Sequence, residues 1–518
     1  MNFNLIQQKI QTLSIEKGIA IIFFFGLLVR ILLPNLKLLH HDETIHAWFS
    51  YELLTKGTYQ YDPMYHGPLL YYLTSGVYRI FGDSDLVSRL LPAVFGALII
   101  LLIYLIYRTG WISGKHTLWA AIFFAFSPDM VYFSRFLRHD IFQLFFSILL
   151  LVAIISYFER KKLYWAILAG FAAACGMCLK EDMPVVILVF GIFFIFLIIS
   201  KRLSLPEKFF RDFIFALLVA IFTGFIFYSS FFSHPEAFFD APLKAFIHWT
   251  SMHEQCRLCG PPYWYILMLL VYEIPLILLA VYGIWQWGYR DHGIARIWDK
   301  NNKIFNLSKL ENKKDYFMLL ALIWTIITLG FYGYVGEKVP WLIIHQLFPI
   351  ILLASYKIEG KKSIAGIITV IFLIIMTVHV CFTPVDINEP IVQVQNSEDM
   401  REVMKYIDAS NNTVVASDSY WPLPWYYRGE KWNKISFYGK KVDPIAWKDK
   451  NPEVIITHDT DSFSSLPNYD KKIYHLSYWF SWYDNQNRIP EWYLLRDGKM
   501  GTINLDVFLR NDTFNIKN

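Results

Sequence analysis

The sequence predicts an all-α polytopic membrane module followed by a small external α/β domain. Of its 518 residues, 55% are hydrophobic, 18% are aromatic and only 18% are charged. The mean hydropathy of +0.35 lies outside the usual composition of water-soluble domains. Long apolar runs fill the first 382 residues, whereas polar residues dominate after Thr383. These observations indicate an integral membrane protein and exclude an ordinary soluble one.

Eleven apolar segments are predicted to cross the membrane. A helix rises about 1.5 Å per residue, so about 20 residues cross a hydrocarbon core of about 30 Å. The first segment is interpreted as an anchor, because Arg30 interrupts it and no small-residue cleavage site follows. The segments are 18–36, 86–107, 117–133, 140–157, 163–179, 183–200, 213–232, 263–286, 315–334, 339–356 and 363–382.

Lys and Arg fall in alternate loops, and this pattern predicts the orientation of the chain. Basic residues near short loops are retained in the cytoplasm. The loops around 160–162 and 357–362 and the basic stretch 287–314 are therefore assigned to that side. Eleven crossings then place the region from Thr383 outside the cell membrane. The net charge of +5 reflects this topology, so no nucleic-acid partner is inferred.

The region 383–518 is predicted to form an extracytoplasmic α/β domain, and 1–382 to form the membrane module. A helix is expected from Ser397 to about Ala409. Strands are expected at 413–416, 453–456, 473–478 and 503–509. The aromatic stretch 420–427, with the sequence YWPLPWYY, is interpreted as a structural lid, or alternatively as a surface that faces the membrane or a cavity.

The first outer loop, 37–84, contains an acidic pair and two helix-like segments. The segments 44–55 and 69–81 have the pattern of amphipathic helices that lie along the membrane interface. Asp42 and Glu43 follow the first apolar segment closely. Carboxylates at the mouth of a membrane helix suit the work of a general base.

Polar residues near the outer ends of the predicted spans indicate an outward-facing cavity. Ionisable residues at membrane depth are costly and are usually found where they line a cavity or bind a polar ligand. The basic members are Arg135, Arg138, Lys180 and Lys338. The other members are His41, His66, His139, Asp140, Glu181, Asp182, Glu337 and Trp341. Two alternatives stay open: a basic residue can be an interfacial anchor, and Asp140 and Asp182 can be helix caps.

Four motifs carry a resemblance to a known superfamily. They are HDETIHAWF at 41–49, YHGP at 65–68, EKVPWL at 337–342 and YWPLPWY at 420–426. With the many helices and the outer C-terminal domain, the chain resembles the GT-C superfamily of membrane glycosyltransferases. That superfamily includes protein O-mannosyltransferases and the aminoarabinose transferases that act on lipid A. The motifs most resemble an archaeal and bacterial family labelled flippase-activity-associated.

The resemblance implies inverting transfer of a sugar from a polyprenyl-phosphate-linked donor to a protein, lipid or glycan acceptor at the outer side of the membrane. Asp42 would be the base, with Glu43 orienting it or binding a metal. The four basic residues would bind the donor phosphate. Carboxylates with His41 or His139 would suit a divalent metal ion, as in oligosaccharyltransferases, whereas the mannosyltransferase-like branch works without one. Metal dependence therefore stays open.

Two other classes of function also stay open. A transporter or lipid flippase would place charges in a membrane cavity too, although the sequence has no paired hydropathy halves of the inverted-repeat type. A non-catalytic assembly partner of a lipid-glycan system would be compatible with a large outer domain. Cys256 and Cys259 permit a disulfide in an oxidising exterior.

Overall fold

The chain forms two compact units. The computed structural model describes residues 3–255, 260–291, 310–383, 389–440, 443–460 and 465–514. The helical unit combines Met1–Pro34 with Leu53–Phe382, and the sheet unit combines Asn35–Glu52 with Thr383–Asn518. The expectations for Cys256 and Cys259 and for most of the basic stretch 287–314 lie outside the described residues.

The helical unit consists of α-helices joined mainly by short turns. Ser127 and Pro128 separate two helices within the third predicted span, because proline fits the first turn of a new helix but interrupts a continuing one. The helices up to Phe382 are α1 (Phe3–Ile31), α2 (His41–Lys56), α3 (Leu69–Phe81), α4 (Asp85–Arg108), α5 (Gly114–Phe126), α6 (Pro128–Phe133), α7 (His139–Arg160), α8 (Leu163–Met177), α9 (Met183–Ile199), α10 (Phe209–Tyr228), α11 (Glu236–Gln255), α12 (Trp264–Tyr272), α13 (Ile274–Trp285), α14 (Lys313–Tyr334), α15 (Ile343–Ala354) and α16 (Lys362–Phe382).

Several of these helices have the length and composition of membrane spans. Among the described residues, five are long and apolar enough: α4, α7, α10, α14 and α16. A sixth span results if α12 and the helix that follows it, which meet at a bend of 109°, are counted together. All eleven segments predicted to cross the membrane contain helix. The chain is therefore a multi-pass membrane protein, and the number of eleven crossings stays a prediction.

Burial differs strongly between the spans. The most apolar window of α7 is 83% buried, whereas that of α10 is only 11% buried. Exposed apolar side chains on α10, including Phe210 and Phe222, suit contact with lipid tails. On its other side α10 packs closely on α8, because a Cβ atom at Gly170 would lie 2.1 Å from the carbonyl oxygen of Ala216. Small residues allow this close approach of two membrane helices.

The sheet unit is built on one six-stranded mixed sheet. Its strands are β1 (Gln393–Asn396), β2 (Thr413–Ala416), β3 (Ile435–Phe437), β4 (Val454–His458), β5 (Tyr469–Phe480) and β6 (Met500–Arg510). The order across the sheet is β1-β5-β6-β4-β2-β3. Strand β2 pairs in parallel with β3 and β4, and the other pairs are antiparallel. The helices are α17 (Met400–Ala409), α18 (Leu423–Tyr426), α19 (Trp482–Asn485), α20 (Ile489–Leu495) and α21 (Asn511–Phe514).

The core of the sheet unit includes the aromatic stretch 420–427. Leu423, Trp425 and Tyr427 are at most 1% exposed, and Leu423 and Tyr427 pack with Met400 and Val403 of α17. The lid or surface expected from the sequence is not what this stretch forms, because residues 422–425 and Tyr427 are buried in the sheet unit. The predicted strands are present, and β1 and β3 are two short strands that the sequence did not reveal.

The first outer loop contributes its beginning to the sheet unit. The side-chain amide of Asn396 donates to the Leu39 carbonyl over 2.7 Å, and that of Gln395 donates to the Leu38 carbonyl over 3.0 Å. The Leu39 amide donates to the Tyr426 hydroxyl oxygen over 3.2 Å. Two of the sequence motifs, HDETIHAWF and YWPLPWY, therefore belong to the same unit. The domain boundary predicted between 382 and 383 would instead put these two motifs in different domains.

Candidate functional site

Three predicted site residues form a buried ion cluster in the helical unit. The turn before α9 positions Lys180, whose ammonium group donates to Asp140 in the first turn of α7. Arg138, just before α7, has its Nε atom 3.2 Å from the other carboxylate oxygen of Asp140. The guanidinium of Arg138 lies 3.7 Å from the centroid of the Trp341 ring. Two cations thus share one carboxylate, so the three groups together carry a net positive charge that suits an anionic ligand.

A second carboxylate extends this cluster through His345, which the sequence placed among the polar residues of the outer face without giving it a role. The Tyr332 hydroxyl donates to Asp182 over 2.6 Å. The Nε2 atom of His345 lies 3.5 Å from Asp140 and 3.9 Å from Asp182. His345 is 3% exposed and its ring stacks on Tyr332. In the sequence, His345 stands out as a histidine inside the apolar segment 339–356.

His66 and Glu181 form a neutral pair near the ion cluster. The Nδ1 atom of His66 lies 2.8 Å from a carboxylate oxygen of Glu181. The His66 ring stacks on Trp249 with centroids 5.0 Å apart, and it meets the His139 ring edge-on at 5.2 Å. Burial lowers the pKa of His66 to about 3 and raises the pKa of Glu181 to about 7. At pH 6, a protonated carboxyl therefore meets a neutral imidazole.

This pair predicts a characteristic dependence of stability on pH. Folded Glu181 keeps a proton that the unfolded chain loses above about pH 4.5, so its contribution to stability falls as the pH rises toward about 7. Folded His66 lacks a proton that the unfolded chain binds below about pH 6.5, so its contribution rises with pH. In the wild type these two slopes oppose each other. In Glu181→Gln only the slope due to His66 should remain, so the free energy of unfolding should rise with pH by up to about 1.4 kcal/mol per pH unit below pH 6.5.

Thermal unfolding of the purified protein in detergent between about pH 5 and 7 measures these slopes through the change in Tm. The matched variant His66→Gln should show the opposite slope, because Glu181 then acts alone. An equal pH dependence of the Tm in the wild type and both variants would contradict the proposed protonation states of His66 and Glu181.

Several of these groups line a large cavity in the helical unit. Its volume is about 1540 Å³. Arg138, Lys180, Glu181, Asp182 and Glu337 line the charged end. Apolar side chains of α7, α8, α9, α10 and α11 line the remainder. The arrangement suits a ligand with an anionic head and a long apolar tail.

Two of the four basic residues have structural contacts instead. The guanidinium of Arg135 donates to the carbonyls of Val29, Arg30, Leu32 and Leu33, which close the end of α1. The ammonium group of Lys338 donates to the carbonyls of Tyr332, Gly333 and Val335 at the end of α14. Basic side chains commonly satisfy the last carbonyls of helices in this way. Their role in phosphate binding stays a prediction, and Arg138 and Lys180 are the better candidates.

Helix capping does not explain Asp140 and Asp182. Arg138 occupies the N-cap position of α7, and Asp182 occupies that of α9 without a capping hydrogen bond from its side chain. Both carboxylates instead face charged or polar side chains. The described residues contain no group of three or more His, Cys, Asp or Glu side chains that could hold a metal ion. Because Lys180 and Arg138 already neutralise Asp140, this cluster does not fit a divalent ion.

The acidic pair of the first outer loop lies in the sheet unit, at the start of α2. A carboxylate oxygen of Glu43 accepts from the backbone amide of His40 over 2.9 Å, which is the return bond of a capping box. Glu43 is fully buried, whereas Asp42 is half-buried. Burial lowers the pKa of His40 to about 4 and also lowers the pKa of His41. Glu43 therefore shapes the turn that presents Asp42.

Comparison with known proteins identifies the fold class. Residues 65–228 match the family described as dolichyl-phosphate-mannose-protein mannosyltransferase. ArnT from Cupriavidus metallidurans is similar in structure, both bound to undecaprenyl phosphate (TM-score 0.55) and in the apo state (TM-score 0.58). At 13% identity, each alignment covers 87% of this chain and 93% of ArnT. The chain therefore shares the fold of ArnT, in agreement with the resemblance to membrane glycosyltransferases seen in the sequence.

Two further relatives extend the comparison. The Archaeoglobus fulgidus oligosaccharyltransferase, in complex with zinc and sulfate, has a TM-score of 0.54 and 13% identity, covering 85% of this chain and 68% of that one. An uncharacterised protein of Aquifex aeolicus is 25% identical over 236 residues, which are 44% of this chain and 45% of that protein. The chain thus matches less than half the length of this curated relative.

Proposed function

We propose that the protein is a membrane glycosyltransferase that takes its sugar from a polyprenyl-phosphate-linked donor. The observation that carries this proposal is the cavity with Arg138 and Lys180 at one end and apolar walls along the rest. Arg offers forked donors and Lys a compact positive charge to phosphate oxygens. The GT-C fold supports the proposal, as does the undecaprenyl phosphate bound to the similar protein ArnT.

The proposed reaction is a single displacement at the anomeric carbon of the sugar. An acceptor hydroxyl oxygen forms the new bond to this carbon as the bond to the donor phosphate oxygen breaks, so the configuration inverts. The electron pair of the broken bond leaves with the polyprenyl phosphate. Arg138 and Lys180 stabilise the negative charge on that leaving group. The hydroxyl proton passes to a carboxylate base.

Asp42 is the proposed base. It stands in the first turn of α2, where the positive end of the helix dipole stabilises a carboxylate. Glu43 is engaged with the His40 amide, so its role is to position the turn. We propose that transfer takes place at the outer side of the cell membrane, where the sequence puts the sheet unit, and that the acceptor is a protein, lipid or glycan.

Transfer of radiolabelled sugar by the purified protein in liposomes tests this function. A panel of polyprenyl-phosphate-linked sugars should contain at least one donor that yields product with the wild type. Flux of the lipid-linked sugar across sealed vesicles without bond transfer would instead support a transporter or flippase component. Absence of both transfer and flux would support an assembly partner without catalysis.

A further inference from the structure

The apolar part of the cavity follows several helices along most of their length. On α9 the lining extends from Pro184 to Ile198, about 21 Å of helix at 1.5 Å per residue. On α10 it extends from Phe209 to Tyr228, about 28 Å. These lengths approach the thickness of a bilayer core, about 30 Å. The cavity is therefore far longer than a sugar phosphate requires.

The charged groups lie at one end of this path and aromatic rings at the other. Lys180 follows α8 and precedes α9, so the charged end includes the end of α8 and the start of α9. At the opposite end of the helices, the Phe158 and Phe194 rings stack with centroids 5.6 Å apart. Tyr157 and Phe209 lie beside each other there at 6.4 Å, and all four rings line the cavity.

We propose that this cavity selects donors by the length of their isoprenoid chain. The inference rests on the proposed lipid-linked donor and adds which part of the protein distinguishes lipid chains of different length. Arg138 and Lys180 hold the phosphate, and the chain lies along α8, α9 and α10 toward the four rings. Each additional isoprene unit buries more apolar surface until the chain reaches them. Short prenyl phosphates leave this path unfilled and bind more weakly.

Gly191 marks the middle of the path. It lies within α9, seven residues beyond Pro184 and seven before Ile198, and it lines the cavity. A Cβ atom added at Gly191 would have no other atom within 4 Å. The first atom of a phenylalanine side chain would therefore meet no neighbour at this depth of the path. Gly76 within α3 has equally open space and does not line the cavity, so it provides a matched control.

Binding of prenyl phosphates that carry no sugar tests the inference without requiring transfer. Geranyl, farnesyl and undecaprenyl phosphate are titrated into the purified protein in detergent, with undecaprenol as the control without phosphate. We expect the wild type to bind undecaprenyl phosphate at least about tenfold more tightly than geranyl phosphate, because apolar burial adds affinity with every unit. In Gly191→Phe this difference should vanish through weaker binding of undecaprenyl phosphate, while geranyl phosphate binds as before. Gly76→Phe should behave as the wild type.

Three results would overturn the inference: equal affinity of the wild type for short and long chains, unchanged undecaprenyl phosphate binding by Gly191→Phe, or an equal loss for all three ligands in that variant. The proposed function fails separately. Length-dependent binding without sugar transfer would refute the enzyme and retain the chain selection. Equal transfer with donors of every length would support the enzyme and refute the chain selection.

Discussion

Asp42→Asn should lower the turnover number for sugar transfer by about a hundredfold to ten-thousandfold, the usual contribution of a general base. The amide keeps the size of the carboxylate but cannot accept the acceptor's proton. The contact in which the Asp42 backbone amide donates to His40 involves no side-chain atom of Asp42, so the turn should persist. Initial rates of sugar transfer in liposomes, together with the Tm of each protein, measure the effect.

Two control variants separate catalysis from folding in this experiment. Asp85, in the first turn of α4, is also a half-buried aspartate at a helix start, and Asp85→Asn should leave turnover near that of the wild type. Glu43→Ala removes the bond to the His40 amide and should cost about 1 kcal/mol of stability. Full activity of Asp42→Asn would refute Asp42 as the base.

Arg138→Gln should raise the KM for the lipid-linked donor by about tenfold to a hundredfold, since a hydrogen bond to a charged group contributes about 1.5 to 3 kcal/mol. Asp140 retains Lys180 as its partner, so the variant should remain folded. The nearby Arg135 offers a contrasting test, because its guanidinium binds carbonyls at the end of α1. Arg135→Gln should lower the Tm while leaving the donor KM unchanged.

Donor KM and Tm are measured for both arginine variants at matched salt concentration, because screening weakens exposed charge interactions. A large rise in KM for Arg135→Gln with no rise for Arg138→Gln would move the phosphate site to the end of α1. An unchanged donor KM in both variants would show that neither arginine binds the donor. Lys180 would then be the remaining candidate for binding the donor phosphate.

Hydropathy and motif spacing predicted much of the helical unit, because apolar length is a local property that a sequence shows directly. Arg138, Asp140 and Lys180 were also selected from the sequence, since charges at the ends of apolar segments stand out. Their ion pairs were not predictable, because Asp140 and Lys180 are 40 residues apart and meet only when α7 packs beside α8 and α9. His345 was placed on the outer face from the sequence, but its approach to Asp140 and Asp182 was not predictable for the same reason.

Composition and short motifs were enough to indicate a multi-pass membrane protein that resembles GT-C glycosyltransferases, because neither requires knowledge of packing. The packing of the helices was needed to distinguish basic residues that cap helices from those that line a cavity, because both kinds occur at helix ends. It also assigned the segment of Asp42 to the sheet unit, through bonds from Gln395 to the Leu38 carbonyl and from Asn396 to the Leu39 carbonyl, each between residues 357 positions apart. Such contacts depend on folded backbone positions, which no local pattern specifies.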